Sequence, residues 1–294
     1  MNTSKRHSTG IRGLDALLGG GLVPGTLSVV VGATGIGKTQ LGLQFAHAGQ
    51  AQEGRPGVVF DMTSRGDAQN HAAYAQRMFG WRMETAPTDV EPSGQRVFEP
   101  EHRPGQYLHV FDYHGRRVTR SDLGWDAWQD WQAEVARKLG VTIGFFYANF
   151  AAGARRAVID GIEPAERPSE SIQFELFEYV YHQILRKESD WVARDLLREH
   201  YRSRQADAAR LAYPVEQVSC LLLYTSAEVL LDDLLARPLE QGDVLSNANT
   251  IVYMGKVRDG QRMGRALHVA KHRGSVASDD IVPYTIGEQG LIVG

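Results

Sequence analysis

A lysine and a threonine directly follow a glycine-rich run near the amino terminus, and together these residues could bind phosphate. The run from Gly32 to Thr39 fits the P-loop pattern G-x-x-x-x-G-K-[ST]. In this pattern backbone N–H groups surround the phosphates, the lysine neutralises the β- and γ-phosphate oxygens, and the hydroxyl holds Mg²⁺. Lys38 is therefore a candidate catalytic cation and Thr39 a candidate magnesium ligand, with ATP and Mg²⁺ as the expected cofactors. The predicted nucleotide-binding residues are Gly32, Ala33, Thr34, Gly35, Ile36, Gly37, Lys38, Thr39 and Gln40.

The segments on either side of this run support the interpretation. Residues 26–31 are apolar and rich in β-branched side chains, which predicts a buried strand. Residues 40–46 have the composition of the first turns of a helix. A strand, a glycine-rich turn and a helix form the context that phosphate binding requires. The sequence therefore predicts that the chain binds a nucleoside triphosphate.

A carboxylate further along the chain could complete the magnesium site. Residues 156–160 form a short apolar run that ends in Asp160. A P-loop ATPase needs a carboxylate at the end of a neighbouring strand, where it orients Mg²⁺ and its waters opposite the threonine. Asp112 is the alternative, but its strand is less apolar, whereas Asp160 is followed by the strand exit Gly161-Ile162. Thr39 and Asp160 are therefore the predicted metal-binding residues.

The elements that must position these residues are predicted from hydrophobic patterning. Short apolar runs alternate with longer amphipathic stretches, which indicates an α/β fold, a mainly parallel sheet with helices on both faces. The last part of the chain instead predicts an antiparallel flank joined by turns. Beyond the two strands above, the predicted strands are residues 57–62, 107–112, 218–224, 250–254, 265–270 and 282–286.

Composition limits the classes of protein that this chain can be. At 294 residues it can form one large domain, 1–294, and its net charge of -3 gives no general attraction to nucleic acid or anionic membrane. A single cysteine, Cys220, excludes an internal disulfide and a cysteine zinc cluster, so we expect a cytoplasmic protein. No apolar stretch approaches the ~20 residues of a membrane-spanning helix, and residues 1–7 have no apolar segment behind them that would predict a signal peptide. We therefore expect no membrane insertion.

Two segments are predicted to be insertions in the domain. The first, about 84–106, is rich in proline, glycine and charge and is predicted to be a surface loop. The second, about 170–213, has apolar residues at helical spacing followed by charges of both signs. Mixed charges on a helix are typical of a solvated face, so a helical hairpin that contacts other subunits or a protein partner is the favoured interpretation.

Three segments resemble the KaiC-like branch of the RecA-superfamily ATPases. Residues 8–25 resemble its entry segment "TGI-x-GLD-x-LLGGG…PG", and the P-loop follows at the family's spacing. Residues 267–275 are similar to its "L-x-V-x-K-x-RGS" segment, and residues 284–290 to its closing "F/Y-x-I-x-x-x-G". The resemblance implies a RecA-like fold, assembly into a ring (often of six subunits) or a filament, and ATP bound between neighbouring subunits. It also implies that Lys271 and Arg273 reach the neighbour's γ-phosphate and contribute to catalysis.

One position departs from the family pattern. In active relatives the second strand ends in a pair of glutamates, the first of which orients the attacking water. Here the corresponding residues are Thr63 and Ser64, and neither hydroxyl is a competent base near neutral pH. Asp61, two residues earlier, is the candidate catalytic carboxylate, and Asp67 is an alternative in the loop that follows. We therefore expect slow hydrolysis, or ATP acting as a ligand that orders the assembly.

These features favour a nucleotide-dependent oligomeric ATPase or an ATP-gated switch in signalling or scaffolding. The alternative is a recombination-type ATPase that binds DNA. Near-neutral charge and the absence of a cysteine zinc motif favour the first function. Six cations against one acid in residues 256–273 could face either DNA or an adjacent subunit's nucleotide. Autokinase activity is a third function, but no feature of the sequence marks an acceptor residue.

Overall fold

The computed structural model describes residues 6–63, 71–87, 96–99, 104–111, 124–162, 172–237, 244–274 and 278–294. Within them, nine strands form one sheet in the order β3-β2-β4-β5-β1-β6-β7-β8-β9. The strands are β1 Leu27–Gly32, β2 Val58–Asp61, β3 Tyr107–His109, β4 Arg156–Ile162, β5 Ser219–Thr225, β6 Thr250–Asp259, β7 Arg262–His272, β8 Ile281–Gly287 and β9 Gly290–Val293. The α-helices are α1 Arg12–Leu17, α2 Lys38–Gln52, α3 His71–Phe79, α4 Trp125–Ala151, α5 Ile172–Tyr179, α6 Ser189–Leu197, α7 Tyr201–Arg210, α8 Leu231–Ala236 and α9 Val244–Asn247.

The pairing of the strands confirms the predicted mixed sheet. The strands from β3 across to β6 pair in parallel. From β6 to β9 they pair antiparallel. The RecA-like, mainly parallel sheet with an antiparallel carboxyl-terminal flank is therefore confirmed.

Helices cover both faces of the parallel part. Side chains alternate along β1, so that Val29 packs into a cluster with Phe146 of α4, whereas Val30 packs into another cluster with Phe45 of α2. Every residue of β1 is buried, as expected for a strand covered on both faces. The apolar run therefore forms the central strand that carries the P-loop.

The two predicted insertions have different outcomes. In the first, Val97 and Phe98 are buried in the core, so this part is not a simple surface loop. The second is helical as predicted, but it comprises α5, a π-helical segment Val180–Leu185, α6, a 3₁₀ turn Arg198–His200 and α7. Its α6 packs against α4.

The carboxyl-terminal strands contact the P-loop directly. The hydroxyl of Tyr284 on β8 donates to the carbonyl of Ile36 at 2.7 Å. The backbone N–H of Leu291 on β9 donates to Gln44 Oε1 of α2 at 2.7 Å. Strand β9 was absent from the sequence prediction, yet it helps to fix α2.

None of the described helices is long and apolar enough to cross a membrane.

Candidate nucleotide-binding site

The P-loop joins the end of β1 to the start of α2. Gly37 occupies the N-cap position of α2 with φ of 113°, and no side chain caps this helix. This left-handed backbone conformation favours glycine, and a Cβ there would also displace the end of the Ile286 side chain, 2.8 Å away. The hydrogen bonds of the helix begin with Leu41, whose N–H donates to the Gly37 carbonyl. The backbone N–H groups before Leu41 therefore stand at the amino terminus of the helix. Such a helix start is suited to an anion.

Lys38 lies inside the loop. Its Nζ donates to the carbonyl oxygens of Gly32 and Ala33, at 2.9 Å in each case. Burial lowers the pKa of Lys38 from 10.5 to about 8, and the nearby charge of Asp160 partly opposes this effect. The loop thus holds a buried amine whose charged form a phosphate group would stabilise.

Thr39 and Asp160 meet as the sequence predicted. The Thr39 hydroxyl donates to Asp160 Oδ2 at 2.9 Å, and both residues are buried. A register shift between Ile159 and Ile162 interrupts the pairing of β4 with β5 at this point. Gly161 has φ of 100°, and a Cβ there would lie 2.3 Å from the backbone N of Thr63. The bulge therefore lies at Asp160, and β4 continues beyond the predicted end at Asp160 to Ile162.

The surroundings of Asp160 favour its ionised form. Burial would raise its pKa, but hydrogen bonds from His71 and Thr39, together with the charge of Lys38, hold the pKa below its ordinary value. An ionised carboxylate and a hydroxyl are hard oxygen ligands of the kind that Mg²⁺ prefers. Within the described residues, no three His, Cys, Asp or Glu side chains are placed to hold a metal by themselves. The site therefore fits Mg²⁺ that takes further ligands from nucleotide phosphates and water.

Asp61 lies directly beside Asp160 in the register of β2 and β4. Its Oδ1 accepts the backbone N–H of Thr63 at 2.9 Å, and its Oδ2 accepts the hydroxyl of Tyr107 at 2.6 Å. Only 2% of Asp61 is exposed. Both oxygens of the candidate catalytic carboxylate thus accept hydrogen bonds from the protein.

His71 contacts both carboxylates, and its role was not predicted from the sequence. Its Nε2 lies 3.0 Å from Asp160 Oδ2, and its Nδ1 lies 3.5 Å from Asp61 Oδ2. In the sequence His71 is one of ten scattered histidines, and nothing in its spacing marks it. The arrangement arises because α3 begins beside β2 and β4, and the adjacency of these strands cannot be deduced from the local sequence.

Of the two residues that the sequence predicts at the glutamate positions, only Thr63 lies within the described residues. Thr63 is buried, and its carbonyl accepts a hydrogen bond from His109 Nε2 at 2.9 Å. Ser64, Asp67 and Asp112 lie outside the described residues.

Lys271 and Arg273 lie at the opposite edge of the sheet from the P-loop. Lys271 pairs with Ile251, which pairs with Val29, three residues before Gly32 at the end of β1. Lys271 Nζ donates to the carbonyl of Ser246 at 2.9 Å, and burial and the charge of Arg273 lower its pKa. Lys271 lies on β7, whereas Arg273 is exposed in the turn just beyond it. The structure does not bring them together with their own Lys38.

The other cations of residues 256–273 lie beyond the P-loop end of β1, away from Lys271 and Arg273. Lys256 pairs with Arg265 beyond the point where Met254 pairs with Gly32, and Arg258 and Arg262 follow towards the turn. The basic stretch of the sequence therefore comprises two separate groups. We call residues 256–265 the basic ribbon.

A P-loop follows the central parallel strand β1, and a carboxylate from β4, which β5 separates from β1, lies against its threonine. This arrangement defines a RecA-like P-loop nucleotide-binding fold. Comparison with known proteins agrees. Residues 7–93 match the family model "ATPase: KaiC". A stretch of 78 residues is 35% identical to the circadian clock protein KaiC2 of Synechocystis sp. (strain ATCC 27184 / PCC 6803 / Kazusa). That match spans 26% of this chain and 13% of the relative's length.

Residues 7–93 are thus similar to KaiC, as the sequence predicted. The family match includes the P-loop, Asp61 and His71 and implies nucleotide binding by this part of the chain. Asp160, Lys271 and Arg273 lie beyond the matched residues. Their roles therefore depend on geometry.

Proposed function

We propose that the chain is a nucleotide-dependent oligomeric ATPase with slow hydrolysis, acting as an ATP-gated switch in signalling or scaffolding. The observation that carries this proposal is the 2.9 Å contact between Thr39 and Asp160 beside the uncapped start of α2. One domain, 1–294, would bind ATP and Mg²⁺. A cytoplasmic location remains a prediction from the sequence.

Binding would depend on three features of the loop. The N–H groups at the start of α2 would donate hydrogen bonds to the phosphate oxygens, and Lys38 would leave its loop carbonyls to contact the β- and γ-phosphate oxygens. Thr39 and Asp160 would hold Mg²⁺. When bound, the metal would stabilise negative charge on the phosphate oxygens.

Slow hydrolysis follows from the surroundings of Asp61. A general base must come within hydrogen-bond reach of the proton that it abstracts. Asp61 is buried, and its oxygens accept hydrogen bonds from Thr63 and Tyr107. Asp61 would therefore need to become accessible to water before it could activate a water molecule.

Assembly follows from the two edges of the sheet. Lys271 and Arg273 lie at the edge opposite the P-loop, so a second copy stacked head to tail would bring them towards its neighbour's nucleotide. A heterologous interface of this kind produces rings or filaments. We propose a homo-oligomer, a hexameric ring or a filament, with ATP at the interface and with the helical segment 172–210 free to contact a protein partner.

Nucleotide binding is tested by the variant Lys38→Ala. It removes the cation that the loop holds, so the affinity in a fluorescent-ATP titration should fall below detection. Lys187→Ala, at an exposed lysine, is the matched control and should bind as the parent does. Equal affinity of Lys38→Ala and the parent would refute the proposed site.

The basic ribbon supports a second candidate function, DNA binding. Lys256 lies directly opposite Arg265, and like charges in this position are unfavourable unless an anion lies nearby. A two-stranded ribbon also fits the major groove. Affinity for duplex DNA measured over a salt series separates the two functions, because phosphate contacts give a steep salt dependence. Weak binding that does not vary with salt would exclude the second function.

A further inference from the structure

We propose that His71 is a positioning residue of the magnesium site, which fixes the carboxylate of Asp160 for the metal. The inference rests on the proposed function, since it concerns the Mg²⁺ that would accompany the nucleotide. It assigns a role to a side chain that is buried at this site and contacts both neighbouring carboxylates.

The hydrogen bonds define the direction of the interaction. A carboxylate only accepts hydrogen bonds, so the nitrogen of His71 that contacts Asp160 carries the proton and donates it. The Thr39 hydroxyl and His71 Nε2 both donate to Oδ2 of Asp160, at 2.9 and 3.0 Å. Two donors on one oxygen, approaching from α2 and from α3, restrict rotation of the carboxylate group.

The imidazole itself is held in place. His71 is 2% exposed, and its ring packs against that of Tyr107 with the centroids 5.3 Å apart. Tyr107 is fixed in turn by its hydrogen bond to Asp61. Ala75 and Met78, on the same helix, are buried in the core beside α2. The donor is thus mounted on a packed element, as precise orientation of a metal ligand requires.

Loss of the His71 hydrogen-bond donor should weaken only the part of the nucleotide affinity that depends on Mg²⁺. Loop N–H groups and Lys38 provide the contribution that needs no metal, and His71 touches neither of them in the contacts described above. Asp160 contributes through Mg²⁺. Loss of an outer-shell partner typically lowers metal affinity about 10–100-fold. The ratio of nucleotide affinity with Mg²⁺ to that in EDTA should therefore decrease, while the affinity in EDTA stays the same.

The experiment titrates fluorescent ADP into the full chain with Mg²⁺ and with EDTA. His71→Leu removes the donor, His71→Gln can restore one, and His182→Leu is the matched control at an exposed histidine. We expect the ratio for His71→Leu to fall by roughly 10-fold or more. We expect His71→Gln to retain most of the ratio and the control to retain all of it. Electron paramagnetic resonance of bound Mn²⁺, with ADP present, should show the same order of affinities.

Several results would overturn the inference. One is an unchanged ratio in His71→Leu. Another is an equal loss of affinity with Mg²⁺ and in EDTA, which would indicate a merely structural role. If His71→Leu does not fold, His71→Met replaces it as the donorless variant and carries the same expectation. A parent protein that binds no nucleotide under either condition would instead refute the proposed function itself.

Discussion

At the scale of single residues, the unusual feature of the site is the pair Asp61 and Thr63. The sequence predicts that Thr63 stands where the KaiC-like pattern has its first glutamate, and the backbone N–H of Thr63 donates to the carboxylate of Asp61. The candidate catalytic carboxylate is therefore bound to the backbone of the residue at the predicted glutamate position.

Replacing Thr63 by glutamate tests this interpretation. General-base assistance is typically worth about 10²–10⁴-fold, so Thr63→Glu should increase ATP turnover without much change in affinity. Phosphate release under saturating ATP measures the effect, and Thr63→Gln, which has the shape but not the basicity, is the control. A parent activity that Asp61→Asn suppresses, together with no gain in Thr63→Glu, would show instead that Asp61 is already the base.

Residues defined by local patterns could be predicted, whereas those defined by tertiary contacts could not. Lys38 and Thr39 follow from the spacing of the P-loop, and Asp160 from an apolar strand that ends in a carboxylate. His71 and Tyr107 reach the same site from α3 and β3 only because β2 lies between β3 and β4. The order of strands in a parallel sheet depends on crossovers and not on neighbouring residues in the chain.

At the scale of elements, the segment before α1 is fixed to the core by buried polar groups. Arg156 of β4 is fully buried and donates to the carbonyls of Ser8 and Phe45, at 2.6 and 2.8 Å. The His7 imidazole contacts Ser219 Oγ at 2.9 Å, and its backbone pairs with Leu22. This segment therefore joins β4, β5 and α2 at the edge of the sheet opposite the P-loop.

The histidine in this segment should make stability depend on pH. Burial, and then the charge of Arg156, lower the pKa of His7 from 6.5 to about 4. The unfolded chain therefore binds more protons than the folded chain between these values. The stabilising contribution is fully present above pH 6.5 and is lost as the pH falls towards 4, by up to about 3 kcal/mol.

Urea unfolding at about pH 7 and about pH 4.5 measures this effect. The free energy of unfolding of the parent should fall more steeply with acidification than that of His7→Asn, which cannot gain a proton. His182→Asn, at an exposed histidine, should follow the parent. Identical pH dependence of the parent and His7→Asn would contradict the assigned pKa.

Most elements follow from sequence periodicity, but their ends depend on the partner strands. The apolar runs predicted β1, β2, β4 and β5 to within two residues of their observed ends. Strand β7 extends to Arg262 because β6 continues beside it as a hairpin, and the exposed polar residues of the basic ribbon do not have a strand-like pattern. The short strand β9 was missed because it follows a tight turn from β8.

At the scale of the whole molecule, the sheet separates the P-loop from the two cations that the proposed function places at a γ-phosphate. The P-loop lies at the carboxyl edge of β1, and Lys271 and Arg273 lie at its amino edge. A nucleotide in the P-loop could therefore contact these cations only if they came from a second chain. This is the structural reason for proposing assembly.

The mass of the protein in solution with Mg·ATP and with Mg·ADP tests this central claim most directly. Light scattering at micromolar concentration should show a mass of several subunits with ATP and a smaller average mass with ADP, because a γ-phosphate would contact cations of the next subunit. The double variant Lys271→Ala/Arg273→Ala should lose this difference, while Lys187→Ala should retain it. A protein that remains monomeric in Mg·ATP, or a double variant that assembles as the parent does, would contradict the account.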